Sequence, residues 1–397
     1  MIIGVWDRIA ATAAAFAILT SCSAHPAPVQ SIQKQFYVDA SAGNDSWPGT
    51  EPRPWRTLAK VSAFRFQPGD TILLRRGDTY TGQLTLDDSG TASQPVTVGA
   101  YGAGSRPVVT GTAKVGVTMS ANHVDVSQLT IRDSRTVGVM VTGDDDRLRD
   151  LRVTKNAEGI EVAASVTGTR ISGSWIAHNQ KMEIDTPGGN DDHGANGVVI
   201  KGTNTRVSDN FFARDLSAHS YDYGRDGAAV EIYGAQNTVV ENNIARDELA
   251  FSEVGGHSNN TTFTNNGLVS RVPNGAFVLV HGRDTFGPNY GTHLIGNKAL
   301  LTGTKAIGVW CSPGCDAAML DMTRNVIALT SSGTPAYVAV KGDGSIIAAA
   351  GGGNNTYWGG DWVGIIKSPG DTFSGVWGPK APNPLVDGGI RVGPVLR

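Results

Sequence analysis

Short runs of alternating apolar and polar residues recur along the middle of the chain, and each run leads through a glycine to an asparagine. Residues 198–202 (VVIKG) precede Asn210, and residues 230–234 (VEIYG) precede Asn243, with an Asn-Thr-x-Val segment in between. The runs alternate with a period of two and are rich in β-branched residues, which is typical of strands. No segment between them has apolar residues spaced with the periodicity of a helix. Repeats spaced 20 to 50 residues apart therefore predict a stacked solenoid made of strands.

When the repeats are aligned on their asparagines, the aligned positions form a column, which we call the asparagine column, and the spacing along it gives the length of each repeat. Its successive positions are separated by 22, 23, 36, 33, 23, 31 and 28 residues. The shortest spacing, 22 to 23 residues, fits one coil of a parallel β-helix. Because a side-chain amide can both donate and accept, asparagines on neighbouring coils are expected to form an internal ladder. The column consists of Leu129, Leu151, Ser174, Asn210, Asn243, Asn266, Asn297 and Asn325.

The segment before these repeats resembles the N-terminal cap and first coil of the pectate-lyase-like superfamily. The resemblance rests on residues 37–39 (YVD), 43–50 (GNDSWPGT), 54–58 (PWRTL) and 68–80 (PGDTILLRRGDTY). It implies an all-β fold, a single-stranded right-handed parallel β-helix with an N-terminal capping helix. We expect that helix within residues 55–64, with Trp55, Leu58 and Ala59 on one face.

The N-terminus has the features of a bacterial lipoprotein signal. An apolar run at residues 9–19 is too short to span a membrane comfortably, but it fits the core of a signal peptide. Residues 19–22 (LTSC) resemble a lipobox, which makes Cys22 the lipidated residue; ordinary secretion is the alternative. The predicted organisation is a signal peptide at 1–21, a tether at 22–35 and the β-helix domain at 36–397. The protein is then exported and anchored to the cell membrane.

Composition excludes some classes of binding partner. A net charge of −3 argues against a nucleic-acid partner, which needs a basic stripe. The chain has no phosphate-binding glycine loop and no paired CxxC motif for zinc. With Cys22 lipidated, Cys311 and Cys315 remain as an even pair, and export favours a disulfide between them. We expect a monomer that binds a polysaccharide.

Three coils exceed the minimum length by about 14, 11 and 9 residues. We expect all three insertions to follow the asparagine strand and to wall a groove on one side, whose floor is the short coil ending at Asn266. Two insertions share a submotif, so Asp192 and Asp222 are expected to stack. The polar candidates in the insertions are Lys181, Asp192, His193, Asp222, Tyr223, Arg225 and Arg283.

Strand parity adds candidates on the groove floor. If Val230 and Ile232 point inwards, Glu231 and Tyr233 point outwards, and the same parity exposes Lys201, Glu253 and His281. Glu231 and Glu253 are 22 residues apart, so their strands should pair at about 4.8 Å. That separation is near the range of a retaining glycosidase pair, whereas Asp192 and Glu253, two coils apart, would be near the inverting range. Two such close carboxylates should also raise one pKa.

Three functions remain open at this stage. A glycoside hydrolase is favoured because acidic groups outnumber basic ones, and its catalytic candidates are Glu231, Glu253, Asp192, Asp222 and His193. A polysaccharide lyase would use Lys181 or Arg225 as the base and could hold Ca²⁺ on aspartates. A non-catalytic carbohydrate-binding or envelope-structural β-helix is the third. The substrate-binding candidates are Tyr223, Arg225, Tyr233, His281 and Arg283.

One further resemblance concerns the reaction. Asp191 and Asp192, with Gly256 and His257, resemble the paired aspartates and Gly-His of polygalacturonase-type hydrolases in the same superfamily. The Arg-Ile-Lys that accompanies them in that family is missing here; the chain has only Ile365-Ile366-Lys367, far downstream.

Overall fold

The chain winds through three parallel β-sheets, each of which receives one strand from successive coils. The computed structural model describes residues 33–330 apart from 112 and 313, together with 337–339, 352–359 and 369–374. The proposed signal peptide and Cys22 lie outside the described residues. Within the described part, no helix is long and apolar enough to cross a bilayer.

Each coil visits the sheets in the same order, which we call sheet 1, sheet 2 and sheet 3. Sheet 1 consists of Gln35–Val38, Thr71–Arg75, Val96–Tyr101, Val124–Ser127, Arg147–Arg149, Arg170–Ser172, Arg206–Ser208, Gln236–Glu241, Asn259–Thr264, Tyr290–Ile295 and Leu320–Thr323. Sheet 2 consists of Thr79–Thr81, Val108–Thr110, Thr130–Arg132, Arg152–Thr154, Trp175–Ala177, Phe211–Ala213, Ile244–Arg246, Gly267–Ser270, Lys298–Leu301, Val326–Leu329, Thr356–Trp358 and Thr372–Ser374.

Sheet 3 forms the third face of the solenoid. Its strands are Leu84–Leu86, Val115–Met119, Val137–Val141, Glu158–Val162, Asn196–Ile200, Ala228–Tyr233, Ala250–Gly255, Ala276–Val280, Ile307–Cys311 and Tyr337–Ala339. Every pairing within the three sheets is parallel. Such crossovers are right-handed, and the predicted all-β, right-handed parallel β-helix is confirmed.

The core lies between the sheets and is filled by the inward half of each alternating strand. Val230 and Ile232 are fully buried, as are Phe251 and Phe277, whose rings stack at 5.4 Å. Burying such a side chain contributes about 1.5–3 kcal/mol. Because each coil presents the same face to its neighbours, the apolar column is continuous along the solenoid.

The asparagine column forms the expected ladder at the turn from sheet 1 to sheet 2. The Asn243 side chain accepts from the backbone and side-chain N–H groups of Asn210, at 2.9 and 3.0 Å, and donates to Asn266 at 3.0 Å. The ladder continues through Asn297 and Asn325 to Asn355. Every member therefore satisfies backbone groups that would otherwise be buried without partners.

A second ladder, which the sequence analysis missed, lies at the turn from sheet 2 to sheet 3. Asn156 donates to Asn179, and Asn179 donates to Asp215, each at 3.0 Å. The backbone N–H of Asp215 then donates to Glu248 at 2.7 Å. These four residues follow the first column at a constant offset of five positions, which is a signal the sequence does contain.

A capping helix is present, but it is shorter than predicted and turns a different face to the core. It spans Leu58–Ala63, and Thr57 caps it by accepting from the Lys60 N–H at 3.1 Å. Leu58 and Val61 are its buried residues, whereas Ala59 is exposed. Trp55 precedes the helix in extended chain, so its place in the core is fixed by stacking on Phe36 at 5.0 Å, not by helical periodicity.

Candidate active site

The three insertions flank the outer face of sheet 3, but from two sides. Residues 178–195 and 214–227 lie between sheet 2 and sheet 3, as predicted, whereas residues 281–289 follow strand Ala276–Val280 and lie between sheet 3 and sheet 1. The expectation that all three follow the asparagine strand is therefore wrong for the third. This arrangement encloses a cleft of about 1010 Å³ whose floor is sheet 3.

Glu231 and Glu253 stand side by side on the cleft floor. Their strands, Ala228–Tyr233 and Ala250–Gly255, are parallel neighbours, and the two glutamates are register partners. Val230 and Ile232 point into the core, so parity turns Glu231 outwards as expected. The side chain of Glu231 is 17% exposed and that of Glu253 is 37% exposed. The two carboxylates therefore differ in how much water reaches them.

The surroundings of Glu231 favour its protonated form. Burial raises the pKa of Glu231 to about 8, while nearby His193 opposes the shift and Glu253 adds to it. The Asn196 side chain donates a hydrogen bond to Glu231 and accepts one from the Ala228 N–H at 2.7 Å. That second bond fixes which way the amide points. Glu231 is thus an acid that keeps its proton at neutral pH.

His193 enters the cleft from a small hairpin in the first insertion. Strands Met182–Ile184 and His193–Gly194 pair antiparallel and cover the outward face of Glu158, which is fully buried. His193 Nε2 lies 2.6 Å from the Glu158 carboxylate, and Nδ1 lies 3.8 Å from Glu231. The Glu158 contact raises the pKa of His193 to about 9. The imidazole is therefore a cation at neutral pH.

Glu253 is held by a residue from the opposite wall. His281 Nε2 lies 2.8 Å from Glu253, and His281 Nδ1 lies 2.8 Å from Asp284. His281 was expected to be exposed, but it is buried beneath Phe286 and beside Trp310, with ring centroids 5.1 and 5.5 Å away. The third insertion folds back over the strand end, which strand parity alone cannot reveal.

A third acid faces the same space. Asp226 ends the second insertion, and its carboxylate accepts from the Gly227 N–H at 2.8 Å. Burial raises the pKa of Asp226 to about 7, and the charge of Glu253 adds to the effect. The cleft therefore brings together two acids that retain protons near neutral pH and the His281-bound Glu253.

Exposed aromatic rings line the cleft at both edges of sheet 3. The ring of Tyr233 is 40% exposed and lies against Gly255 and Gly256, where an added Cβ would come within 3.2 and 2.6 Å of it. Glycine at these positions thus makes room for the ring to lie across the next strand. Tyr223 is 55% exposed and donates to Asn190, and Arg225 lines the same wall. Such rings can stack on sugar faces.

Three predicted site residues do not line the cleft. The Nζ of Lys181 donates to the Ser134 carbonyl at 2.8 Å, which holds the hairpin to a coil two turns earlier. The Asp222 carboxylate accepts from two backbone N–H groups of the first insertion, at 2.8 and 2.7 Å. Arg283 binds Asp316 at 2.8 Å and is not among the residues that line the cleft. All three fasten loops to their neighbours.

The loop aspartates are poor candidates for Ca²⁺. Asp191, Asp192 and Asp222 bring carboxylate oxygens within 4.8 Å of one another. However, Asp192 Oδ2 accepts from the Ser220 hydroxyl and, at 3.0 Å, from the Asp222 N–H, and both Asp222 oxygens accept from backbone N–H groups, so three of these oxygens already serve the loops. Asp192 and Asp222 are therefore neighbours, joined by the hydrogen bond from the Asp222 N–H to the Asp192 carboxylate. His257, the other half of the polygalacturonase resemblance, is exposed on a turn and does not line the cleft.

A second group of possible ligands is the one around His193. Glu158, Glu183 and His193 also bring their ligand atoms within 4.8 Å. With a pKa of about 9, the imidazole carries a proton towards Glu158 at neutral pH, in the position that a metal ion would need.

Sequence reasoning missed two loop residues of the cleft and one residue at the start of a strand. Asp226, Asn196 and Asp284 line the cleft but were not selected, although Asp226 and Asn196 occupy equivalent positions in the repeated submotif. Lys201 lines it as parity predicted, and pairs with Glu161 at 2.7 Å. Cys311 and Cys315 are joined by a disulfide just after Trp310, which also lines the cleft.

Comparison with known proteins places this geometry in a family. No protein of curated function matches the sequence. Solved structures share the fold at low identity. Pectate lyase Pel9A has a TM-score of 0.53 and 16% identity, and the match covers 74% of this chain and 78% of that one. A GH136 lacto-N-biosidase from Eubacterium ramulus has a TM-score of 0.51 and 14% identity, with 84% of this chain and 68% of that one covered, and an alginate lyase from Paenibacillus sp. has a TM-score of 0.51 and 16% identity, with 86% and 98% covered. The family described as Pel9A-like, right-handed β-helix region, matches residues 36–267, more than half of the sequence. The chain belongs to the Pel9A-like family of right-handed parallel β-helix proteins.

Proposed function

We propose that the cleft cleaves a polysaccharide as a retaining glycoside hydrolase, with Glu231 as the acid and Glu253 as the nucleophile. The observation that carries this proposal is the in-register pair, in which one carboxylic acid keeps its proton and the other is bound by His281. Strands pair about 4.8 Å apart, close to the roughly 5–5.5 Å between the carboxyl groups of retaining enzymes. The glycan-cleaving names among the structural neighbours support the substrate class.

The reaction proceeds in two steps. Glu231 gives its proton to the glycosidic oxygen while the Glu253 carboxylate attacks the anomeric carbon, so the leaving sugar departs with a hydroxyl group and a glycosyl ester forms on Glu253. Glu231, now ionised, takes a proton from a water molecule that attacks the same carbon and releases Glu253. Tyr233, beside the pair, offers the stacking surface that would orient the sugar ring.

The contacts of the two lysines argue against the lyase alternative, whose other candidate base, Arg225, does line the cleft. Lys181, its first candidate, is bonded to a backbone carbonyl outside the cleft. Lys201 does face the cleft, but its ion pair with Glu161 outweighs the effect of burial and raises its pKa. A lysine held as a cation cannot remove the proton next to a uronate carboxylate. These contacts favour hydrolysis, and a binding module without catalysis remains the alternative to be tested.

The deciding experiment incubates the protein with a panel of neutral and acidic glycans. We expect new reducing ends, no ultraviolet-absorbing unsaturated product, and a first-formed product with retained anomeric configuration by NMR. Glu241→Gln is the matched control for the variants Glu231→Gln and Glu253→Gln, because Glu241 lies on sheet 1 and does not line the cleft. Unsaturated product would replace the proposal with a lyase, and binding without cleavage would replace it with a binding module.

We also propose that the protein is exported and anchored to the membrane through a lipid on Cys22, and that it acts there as a monomer. The support is the lipobox-like segment at residues 19–22. A disulfide between Cys311 and Cys315 suits an oxidising compartment outside the cytoplasm.

A further inference from the structure

The loop of residues 281–289 contributes His281 and Asp284, which form with Glu253 a chain of three charged side chains. His281 stands between the carboxylates of Glu253 and Asp284, with one ring nitrogen 2.8 Å from each. Only the doubly protonated imidazolium can donate from both nitrogens at once. Burial alone would lower the pKa of His281, but its two carboxylate partners raise it, which agrees with this state.

The imidazole has little freedom to move. It is only 6% exposed and is bordered by the rings of Phe286 and Trp310. Asn289, which is fully buried, donates to the His281 carbonyl at 2.8 Å and to the Val254 carbonyl at 3.1 Å, closing the loop at its base. The backbone on either side of the Glu253–His281 contact is thereby held in place.

Asp284 is fixed in turn by its own partners. It accepts from the Phe286 N–H at 2.9 Å, and hydrogen bonds from Ser312 and His281 lower its pKa although burial opposes the shift. Ser312 follows directly on the disulfide-bonded Cys311, and its hydroxyl also accepts from the Gly282 N–H at 2.6 Å. The loop is thus tied to the segment that the disulfide closes.

We propose that Asp284 is a positioning residue for catalysis, which acts through His281 to hold the Glu253 carboxylate in the orientation needed for attack. This inference rests on the proposed hydrolase function. His281 and Asp284 both lie beyond residues 36–267, the part that matches the family.

The test compares Asp284→Asn with Asp316→Asn. Asn keeps the shape of Asp284 but removes the charge that stabilises the imidazolium. We expect kcat to fall about 10²-fold with little change in KM, since misplacing a reacting group by about 1 Å can cost that much. Asp316→Asn is the matched control: Asp316 pairs with Arg283 of the same loop, does not contact His281, and should leave kcat unchanged.

Two further measurements distinguish a positioning role of Asp284 from a purely structural one. In Asp284→Asn, the His281 imidazole signals in NMR should titrate at lower pH than in the wild type, and the fall of kcat with rising pH should begin earlier. Asp284→Glu, which restores the charge, should recover part of kcat. A purely structural role would lower the melting temperature without moving either titration.

The outcomes distinguish this inference from the proposed function. If Glu253→Gln is inactive while Asp284→Asn matches Asp316→Asn in kcat and in His281 titration, the positioning role is overturned and the hydrolase stands. If Glu231→Gln and Glu253→Gln both retain wild-type activity, or no glycan is cleaved, the proposed function fails and the positioning role fails with it.

Discussion

At the residue scale, the protonation state of Glu231 sets the pH range in which the cleft can donate a proton to a leaving group. Its folded pKa of about 8 lies above the ordinary value of 4.5, so the acid is present below about pH 8 and is lost above it. We predict that kcat/KM falls as pH rises through about 8. Glu231→Gln should lower kcat by about 10²–10⁴ at neutral pH. Steady-state kinetics from pH 5 to about 10 measure both, and a flat profile across pH 8 would contradict the assignment.

Asp226 is the competing acid, and its removal tests the assignment to Glu231. With a pKa of about 7, Asp226 loses most of its proton one pH unit below Glu231. If Glu231 is the acid, Asp226→Asn should lower kcat by less than about 10²-fold, the lower end of general-acid catalysis, and leave the fall near pH 8 in place. A larger loss, with a normal profile in Glu231→Gln, would transfer the acid role to Asp226.

The residues that could be identified from the sequence are those set by strand parity. Glu231 and Glu253 followed from their alternation with Val230 and Ile232, because a strand leaves a side chain only two directions. Asp226 and Asp284 could not be assigned in this way, since a loop residue's direction depends on contacts with other coils. Lys181 was misplaced for the same reason: its partner, Ser134, is two coils earlier.

At the element scale, the hairpin of residues 182–194 depends on a buried ion pair. The Glu158 contact raises the pKa of His193 from 6.5 to about 9, so its contribution to stability is full below pH 6.5 and is lost as pH rises through about 9. Glu231, whose pKa is also raised, adds to the decline from about pH 4.5 to 8. Denaturant unfolding should therefore show stability falling between pH 6.5 and 9 by up to a few kcal/mol.

His193→Gln is the variant that isolates this effect. Glutamine can still approach Glu158 but has no proton to lose, so the slope of stability against pH should flatten above pH 6.5. His257→Gln, at an exposed turn histidine, should leave the slope as in the wild type. An unchanged slope in His193→Gln would mean that the ion pair does not contribute to folding.

The asparagine ladder makes a separate prediction. Asn243→Ala removes the acceptor of the Asn210 backbone and side-chain N–H groups and the donor to Val207 and Asn266. Leaving buried groups unpaired costs about 1–3 kcal/mol each, so the free energy of unfolding should fall by at least about 2 kcal/mol. Asn259→Ala, on the exposed start of a strand, should change it by less than about 0.5 kcal/mol. Equal effects of the two substitutions would show that the ladder adds no stability.

The sequence predicts the length of each coil, but not where the insertion lies within it. Spacing between asparagines gives the total length of each coil, but it does not say at which of three turns the extra residues lie. The first two insertions fell where expected, whereas residues 281–289 lie at another turn. That error hid the fact that the third insertion faces the first two across sheet 3, and so it hid the contact between His281 and Glu253.

At the scale of the whole molecule, the fold was predictable because one short pattern is repeated many times. Each coil alone is weak evidence, but the column from Leu129 to Asn325 fixes coil length and ladder together. The cleft combines two parts of the chain: the first two walls and the part of the floor that carries Glu231 and Glu253 lie within residues 36–267, and the rest of the floor and the third wall lie beyond them. Specificity can therefore change through the third wall while the carboxylate pair stays the same.

The last prediction concerns where this molecule is held. Residues 19–22 (LTSC) predict lipidation at Cys22, and the segment up to the first strand at Gln35 would then act as a short polar tether to the membrane. Cys22→Ser removes the thiol that would carry the lipid, so the protein should move from the detergent-extracted membrane fraction to the soluble fraction. Its mass should lack the lipid, and its activity on glycans should be unchanged because the cleft is distant in sequence. Cys311→Ser is not a suitable control, since it breaks the disulfide beside the third wall, so Ser23→Ala serves instead. A wild-type protein that is already wholly soluble and carries no lipid would refute the anchor without affecting the proposed chemistry.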